Sequence, residues 1–412
     1  MYYLICNKNS CFFLLATFLF IPLFSFKLGI ENVSPLLLKQ IVPQKTPCTI
    51  GLITNQTGVD QYNNRTIDIL LSKGFTINYI FAPEHGITGT KIAGKNVIDS
   101  RDKKTNIPIM SLYGNGSGKM ITAEQIAPLD ALFFDIQDSG MRHYTYISTL
   151  FNTMKLAAEY NKPFVVLDRP NPLGSSIHGS LVEPELISFI SIAPIPLRHG
   201  LTIGELAHYF NHYLLNKKVL LQVVAMSNYD KNKGFNGPFL HQLSPNLPSL
   251  QSCYGYSFLG LLGEITPFNV GIGTPMAFRC ILLPKRIKTS SQLWSGLQKI
   301  LQSFGVRSFT YNKPRSTGLR LEFDHINDLQ SFDLLIAIIH YFKNEGIPLS
   351  FSATFNQAVG TKDFQEMIAG TLSKEKFRER VSHDLQKFYQ QIKDLLLYCP
   401  VRSPEIYKQN NR

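Results

Sequence analysis

The run Pro83-Glu84-His85-Gly86 sets a carboxylate beside an imidazole, just after the apolar run Ile77-Asn78-Tyr79-Ile80. That run reads as a buried strand, and Ile87-Thr88-Gly89 reads as a turn. A carboxylic acid held where a strand runs out can protonate a leaving oxygen. Glycoside cleavage needs such an acid, usually with a second group that assists water or attacks. The competing role for Glu84 is that of a turn residue satisfied by backbone amides. Asp135, Asp138, Asp168, Glu183 and Glu205 lie near the same predicted edge. They have structural alternatives too: Asp135 as a loop cap, Asp168 as an ion pair with Arg169, and Glu205 as the partner of Thr202 in a helix capping box. Arg142, Arg169 and Arg198 fall in the same post-strand loops. Guanidinium forks suit a ligand carboxylate or phosphate, or pair internally with Asp138 or Asp168.

Other chemistries fail on spacing. Tyr113-Gly114-Asn115-Gly116-Ser117-Gly118-Lys119-Met120 has Met120 where a phosphate loop needs Ser or Thr for magnesium, and no GxGxxG opens a helix. No nucleotide or other cofactor is expected. Glu84 and His85 are adjacent, so their side chains diverge, and His143, His178 and His199 meet only through the fold; no metal site is expected. No GxSxG elbow is present. The six cysteines form no CxxC pair and are expected as buried thiols, with a disulfide as the alternative.

The elements that must position these groups alternate. Strands are expected at Thr49–Thr54, into Phe81, at Ile107–Tyr113, Asp130–Asp135, Pro163–Asp168 and Leu220–Ala225. Helices are expected at Arg65–Ser72, Thr145–Glu159 and Gly200–Tyr213. Continuous apolar strands between helices imply an α/β fold with a parallel sheet covered on both faces, its post-strand residues converging on one edge. Asn55, Glu84, Asp135, Gln137, Asp138, Asp168 and Arg169 all follow strands. Residues 230–275, rich in Gly, Pro, Asn and Ser, read as a long connection. A second alternating region, Ala277–Asp324, and helices at Leu329–Asn344 and Lys374–Tyr398 suggest a smaller α+β domain. The boundaries are 1–27 for a leader, 46–230 for the sheet domain and 231–412 for the C-terminal domain.

The chain has 412 residues and a formal net charge of +12. Its basic residues are interleaved with acids, so no nucleic-acid partner is expected; an acidic substrate or an envelope surface fits the charge. Cys11–Phe26 is apolar and flanked by Lys8 and Lys27. Its length suits an export signal better than a spanning helix of about 20 residues. An uncleaved inner-membrane anchor is the alternative.

Leu52-Ile53-Thr54-Asn55-Gln56-Thr57-Gly58, Phe81-Ala82-Pro83-Glu84-His85-Gly86, Phe134-Asp135-Ile136-Gln137-Asp138 and Tyr144-Thr145-Tyr146 stand in order along the chain. Val166–Pro172, Pro196–Glu205, Ser244-Pro245-Asn246-Leu247-Pro248 and Gly271-Ile272-Gly273-Thr274-Pro275 continue the series. Together they resemble the exo-β-N-acetylmuramidases, a family long labelled only as a domain of unknown function, over roughly residues 48–400. The resemblance implies a Rossmann-like catalytic domain, a smaller C-terminal domain and a cleft where they meet. It implies release of N-acetylmuramic acid from the non-reducing ends of peptidoglycan fragments in the periplasm or envelope, with Glu84 catalytic. On that basis His85 and Asp135 are expected beside Glu84. Asn55, Gln137, Asp138, Arg142, Tyr144, Asp168, Arg169, Asn171, Arg198, His199, Asn246 and Glu264 are expected on the substrate. The resemblance departs at Val270-Gly271-Ile272-Gly273-Thr274, where related sequences read closer to Glu-Gly-Arg-Gly-Thr. Two other functions are open to this chain: a peptidoglycan-fragment-binding protein without catalysis, and a hydrolase for another amino sugar.

Overall fold

The computed structural model describes residues 26–34, 36 and 47–398, apart from 93, 115, 116, 234, 236–240 and 325. Most of the expected leader, with Cys6 and Cys11, and Cys399 lie outside the described residues. Cys48, Cys253 and Cys280 are buried free thiols.

Apolar runs with turn residues at both ends give the strands of a seven-stranded sheet. In chain order these are β1 Thr49–Thr54, β2 Thr76–Ala82, β3 Ser100–Arg101, β4 Pro108–Ser111, β5 Ala131–Asp135, β6 Phe164–Leu167 and β7 Leu221–Val224. The spatial order is β3-β4-β2-β1-β5-β6-β7, parallel except for the edge strand β3. β1 therefore has β2 on one side and β5 on the other. The chain crosses over in opposite directions from this point, so a crevice opens beyond the carboxyl ends of β1 and β5. The interior strands are buried on both faces, as their unbroken apolar runs require. The third expected strand, Ile107–Tyr113, divides: β4 joins the sheet, and Tyr113–Gly114 turns out of it to pair with Ser117–Gly118. The glycines that mimic a phosphate loop belong to this hairpin.

Helices α1 Thr66–Ser72, α2 Tyr146–Glu159 and α3 Ile203–Tyr209 follow β1, β5 and β6. Thr202 caps α3 and Glu205 closes the box, as expected. A wider π-type turn, Phe210–Leu214, prolongs α3.

Residues 230–275 correct the sequence reading. They contain a thirteen-residue helix, α4 Leu250–Leu262, entered through Ser249, whose hydroxyl accepts from Ser252 N at 3.2 Å. No amphipathic stripe betrays α4 because it is buried nearly all round. Its small residues are packing sites: a Cβ on Gly255 would stand 1.7 Å from the Phe278 carbonyl oxygen.

Beyond α4 a three-stranded antiparallel sheet, β8 Cys280–Pro284, β9 Val306–Lys313 and β10 Ser316–Phe323, packs with α5 Ser291–Ser303 and α6 Ser331–Asn344. One hydrophobic core runs from Ile53 and Phe134 through α4 to Phe388 and Ile392, so the C-terminal region shares the core of the parallel sheet. The last helix, α7 Lys374–Ile392, ends earlier than expected. The chain then doubles back, and Tyr398 OH donates to Asp168 Oδ2 at 2.7 Å.

The tight seat of α4 yields a sign test. In an exposed helix Gly→Ala gains about 1 kcal/mol. Gly255→Ala is expected instead to destabilise the protein by about 1–3 kcal/mol, read from urea unfolding, because its methyl has nowhere to go.

Candidate active site

Glu84 leaves β2 at the crevice, half-buried. Thr145 Oγ1 donates to its Oε2 at 2.7 Å, and Gly94 N donates to its Oε1 at 3.0 Å. Burial, and then the Glu84 charge, push the Tyr113 phenol up to about 12. Thr145 opens α2 and Gly94 lies in the loop after β2, so two segments fix one carboxylate. His85 adopts a left-handed backbone, φ 70°, ahead of Gly86 at φ 74°. Its Nδ1 meets the Lys91 carbonyl at 2.6 Å, and Lys91 N donates to the His85 carbonyl at 3.2 Å. His85 therefore pins the loop whose Gly94 reaches Glu84. Strained non-glycine backbone of this kind concentrates at functional sites.

Asn55, Gln137 and Asp138 line the neighbouring strand ends. Asn55 Oδ1 accepts from Thr57 Oγ1 at 2.6 Å and from Thr57 N at 2.9 Å, and Thr57 Oγ1 accepts from Gln137 N at 2.9 Å. These bonds join the two strands at the switch point. Gln137 Nε2 donates to the carbonyls of Asp138 and Pro170. Asp138 is 4% exposed. Its Oδ2 accepts from Gly140 N at 2.7 Å and lies 3.1 Å from His199 Nε2. His199 Nδ1 accepts from Leu201 N at 3.2 Å, which puts a proton on Nε2 toward Asp138. Asp138 Oδ1 is buried without a partner among the described residues.

The opposite wall comes from α4. Tyr256 is half-buried, with His143 4.6 Å away, Phe278 4.8 Å and Tyr144 6.3 Å between ring centroids. Its hydroxyl donates to the His143 carbonyl at 3.4 Å. Burial, and then the charges of Glu84, Glu264 and Asp138, raise this phenol far above its ordinary value. Tyr144 OH donates to the Leu243 carbonyl at 2.7 Å, fastening the loop that carries Asn246 in its Ser244–Leu247 turn. Glu264 follows α4 and is half-buried.

Several residues expected on a ligand are structural instead. Asp135 is fully buried, accepting from Arg169 Nε at 2.5 Å, Arg169 Nη2 at 2.9 Å and the Thr66 hydroxyl. Arg169 thus pairs with Asp135 rather than Asp168, and its Nη2 also holds the Val59 carbonyl. Asp168 is fully buried among Gly204 N, Arg169 N, Thr202 Oγ1 and Tyr398 OH. Asn171 shapes its own turn, accepting from Leu173 N and donating to the Leu201 carbonyl. Arg142 and Arg198 are fully buried and bind carbonyls: Ser180, Ile195 and Ala358 for Arg142; Leu173, Ile326 and Leu329 for Arg198. They are struts, not ligand forks. In the departing segment Val270 is buried and would meet a Cβ on Gly263, while Ile272 stands exposed between Gly271 and Gly273, both at positive φ.

Sequence reasoning gave no role to Tyr113, Thr145, His143 or Tyr256. Thr145 lies inside a quoted motif, and Tyr256 lies on the missed helix. Among the described residues no cluster suits a metal ion.

Two family models cover nearly all of the described chain: exo-β-N-acetylmuramidase NamZ, N-terminal, over residues 50–251, and its C-terminal counterpart over 254–398. The chain is 35% identical over 387 residues to the peptidoglycan β-N-acetylmuramidase NamZ of Bacillus subtilis, covering 90% of this chain and 91% of the relative. Crystal structures of two DUF1343 family proteins from Bacteroides fragilis superpose with TM-scores of 0.77 and 0.68 at 29% and 28% identity. They cover 90% and 91% of this chain and 99% of each neighbour.

His143 supplies a pH test. Both its ring nitrogens are sealed from solvent without partners among the described residues, and burial, helped by the Arg142 charge, holds the imidazole down at about 3. The unfolded value is about 6.5, so between the two the unfolded chain binds more protons and stability is lost as pH falls. From pH 6.5 toward 4 the wild type is expected to lose up to about 1.4 kcal/mol per pH unit relative to His143→Phe, measured by urea unfolding.

Proposed function

The chain belongs to the exo-β-N-acetylmuramidase family, and from that premise we propose that it releases N-acetylmuramic acid from the non-reducing ends of peptidoglycan fragments. Glu84 is the general acid. The observation that carries this reading is its carboxylate, half-buried past the end of β2, next to the switch point, with a hydrogen bond on each oxygen from a different segment. A carboxyl so fixed meets the geometric demand of proton transfer, a heavy-atom approach of about 2.6–3.2 Å to the departing oxygen. Substrate displaces Gly94 N from Oε1, and the glycosidic oxygen takes its place while Thr145 keeps the carboxyl aimed. Asp138 stands beside the sugar site, and the His199 contact holds it in place. His85 positions the acid through its loop. Asn55, Gln137, Tyr144 and Asn246 shape the sugar site from the strand ends and the loop after β7.

Activity on peptidoglycan places the protein in the cell envelope. We read Cys11–Phe26 as an export signal to the periplasm, with membrane attachment through the same segment as the alternative. No helix among the described residues is long and apolar enough to cross a membrane.

Wild type and Glu84→Gln are compared on a chromogenic β-N-acetylmuramic acid glycoside. The variant is expected to lose about 10²–10⁴-fold in kcat with unchanged folding. The deficit shrinks on leaving groups that need no proton. Unimpaired hydrolysis by the variant removes Glu84 from the mechanism. Fragment binding by wild type without release marks a binding protein instead.

A further inference from the structure

The antiparallel sheet of the C-terminal region carries most of the chain's excess charge. From Ile265 to Leu321 there are nine lysines and arginines and no aspartate or glutamate, so this stretch holds +9 of the net +12. The interleaving of bases with acids seen elsewhere fails here. The fold then sorts these cations by end. At one end of the sheet Arg307 pairs with Glu322 and Asp324, and Arg320 pairs with Glu322. At the other end Pro284 stands opposite Ser316, and Ser316 opposite Lys313, so the turn after β8 and the turn between β9 and β10 are neighbours. Lys285 N donates to the Arg315 carbonyl at 3.0 Å, which ties the two turns together, and Ile287 N closes the first turn on the Pro284 carbonyl at 2.9 Å. Lys285, Arg286, Lys288 and Arg315 are all exposed on this pair of turns. No acid pairs with any of the four among the described residues. Strand register thus makes one patch of two basic segments that lie apart in the sequence.

The chemistry of the patch selects its partner. All four cations are exposed, so none belongs to a recess that would enclose a single small anion. The residues between them, Pro284, Ile287 and Pro314, offer no aromatic face on which nucleobases stack. What remains is a cluster of point charges and guanidinium forks set among apolar side chains, which suits a plane of many phosphates. We propose that these two turns dock on the headgroups of an anionic phospholipid bilayer and hold the protein to a membrane surface of the cell envelope. The contact is peripheral and salt-sensitive, because each lysine or arginine adds attraction only within a Debye length of about 8–10 Å. Adjacent strands lie about 4.8 Å apart, so cations on two adjoining turns reach the surface together. The proposal does not rest on the muramidase reading, since no residue of these turns has a part in it. It keeps an exported chain at the membrane whether or not the leader is retained.

The test uses the full chain and sedimented vesicles of phosphatidylcholine, alone or with added phosphatidylglycerol. At low salt the wild type is expected to bind the anionic vesicles at least about 100-fold more tightly than the neutral ones, and to lose that excess as salt is raised. The neutral vesicles register whatever the leader contributes, so the excess reads charge alone. Combining Lys285→Gln, Arg286→Gln, Lys288→Gln and Arg315→Gln is expected to abolish the excess, while Arg307→Gln with Arg320→Gln, at the paired end of the same sheet, leaves it in place. Circular dichroism confirms that both variants fold, and release of sugar from the chromogenic glycoside is unchanged by the four substitutions. Equal binding of wild type to both vesicles, an excess that survives the four substitutions, or an equal loss in the paired-end variant overturns the proposal. So does a preference for isolated peptidoglycan or duplex DNA in competition with the anionic vesicles, which marks another polymer as the partner. If wild type shows the excess but releases no sugar, it is the muramidase reading that fails and the docking surface that stands.

Discussion

The structure turns on a cation buried with no carboxylate partner among the described residues. The Arg142 guanidinium lies at 0% exposure, and burial lowers it only to about 9, so it stays charged at neutral pH. Such a charge is tolerable only where dipoles replace water. Three carbonyls and the Ser191 hydroxyl do so, and one of them, Ala358, comes from the far C-terminal region. Arg198 likewise binds carbonyls, of Leu173 and of the Ile326–Leu329 segment. A Cβ on Gly360 would fall 2.5 Å from Arg142 Nη2, so the chain there is shaped around the guanidinium. These two struts tie Ala358 and the Ile326–Leu329 segment to the loops of the parallel sheet, and the shared core carries α4.

From that constraint the site follows. One wall, Glu84 with Thr145, Tyr113 and the loop pinned by His85, comes from the parallel sheet. The other, Tyr256 and Glu264, comes from α4 and the residue pair after it. The two walls meet where the Tyr256 ring packs on His143 and Tyr144. The Asp135–Arg169 pair and the Asp168 cluster do a different task at neighbouring strand ends. They neutralise buried charge so that the loops carrying Gln137, Asp138 and Asn171 keep their places.

The sheet was legible because each interior strand is an unbroken apolar run closed by turn residues, and Glu84 was legible because it follows such a run. Side-chain burial was not. Arg142, Arg198 and Asp168 sit in post-strand loops like ligand-facing residues, and nothing in their spacing says that their partners are carbonyls or hydroxyls from distant segments. The α4 helix escaped notice because complete burial erases the polar face that marks a helix, and because Gly255 and Gly260 look like loop punctuation. They are there for the Phe278 carbonyl and the His143 ring. Tyr256 was lost with the helix. The family resemblance reached further than periodicity, since its ordered motifs tie the two walls to one activity.

The central claim is that a muramic acid residue binds between these walls with its glycosidic oxygen on Glu84. It is tested most directly by a crystal structure of Glu84→Gln with a β-linked, muramic-acid-terminated disaccharide. The account predicts the glycosidic oxygen within about 3.2 Å of the residue 84 amide and the sugar in contact with Tyr256. A sugar bound on one wall alone, or with that oxygen out of hydrogen-bond reach of residue 84, would contradict it.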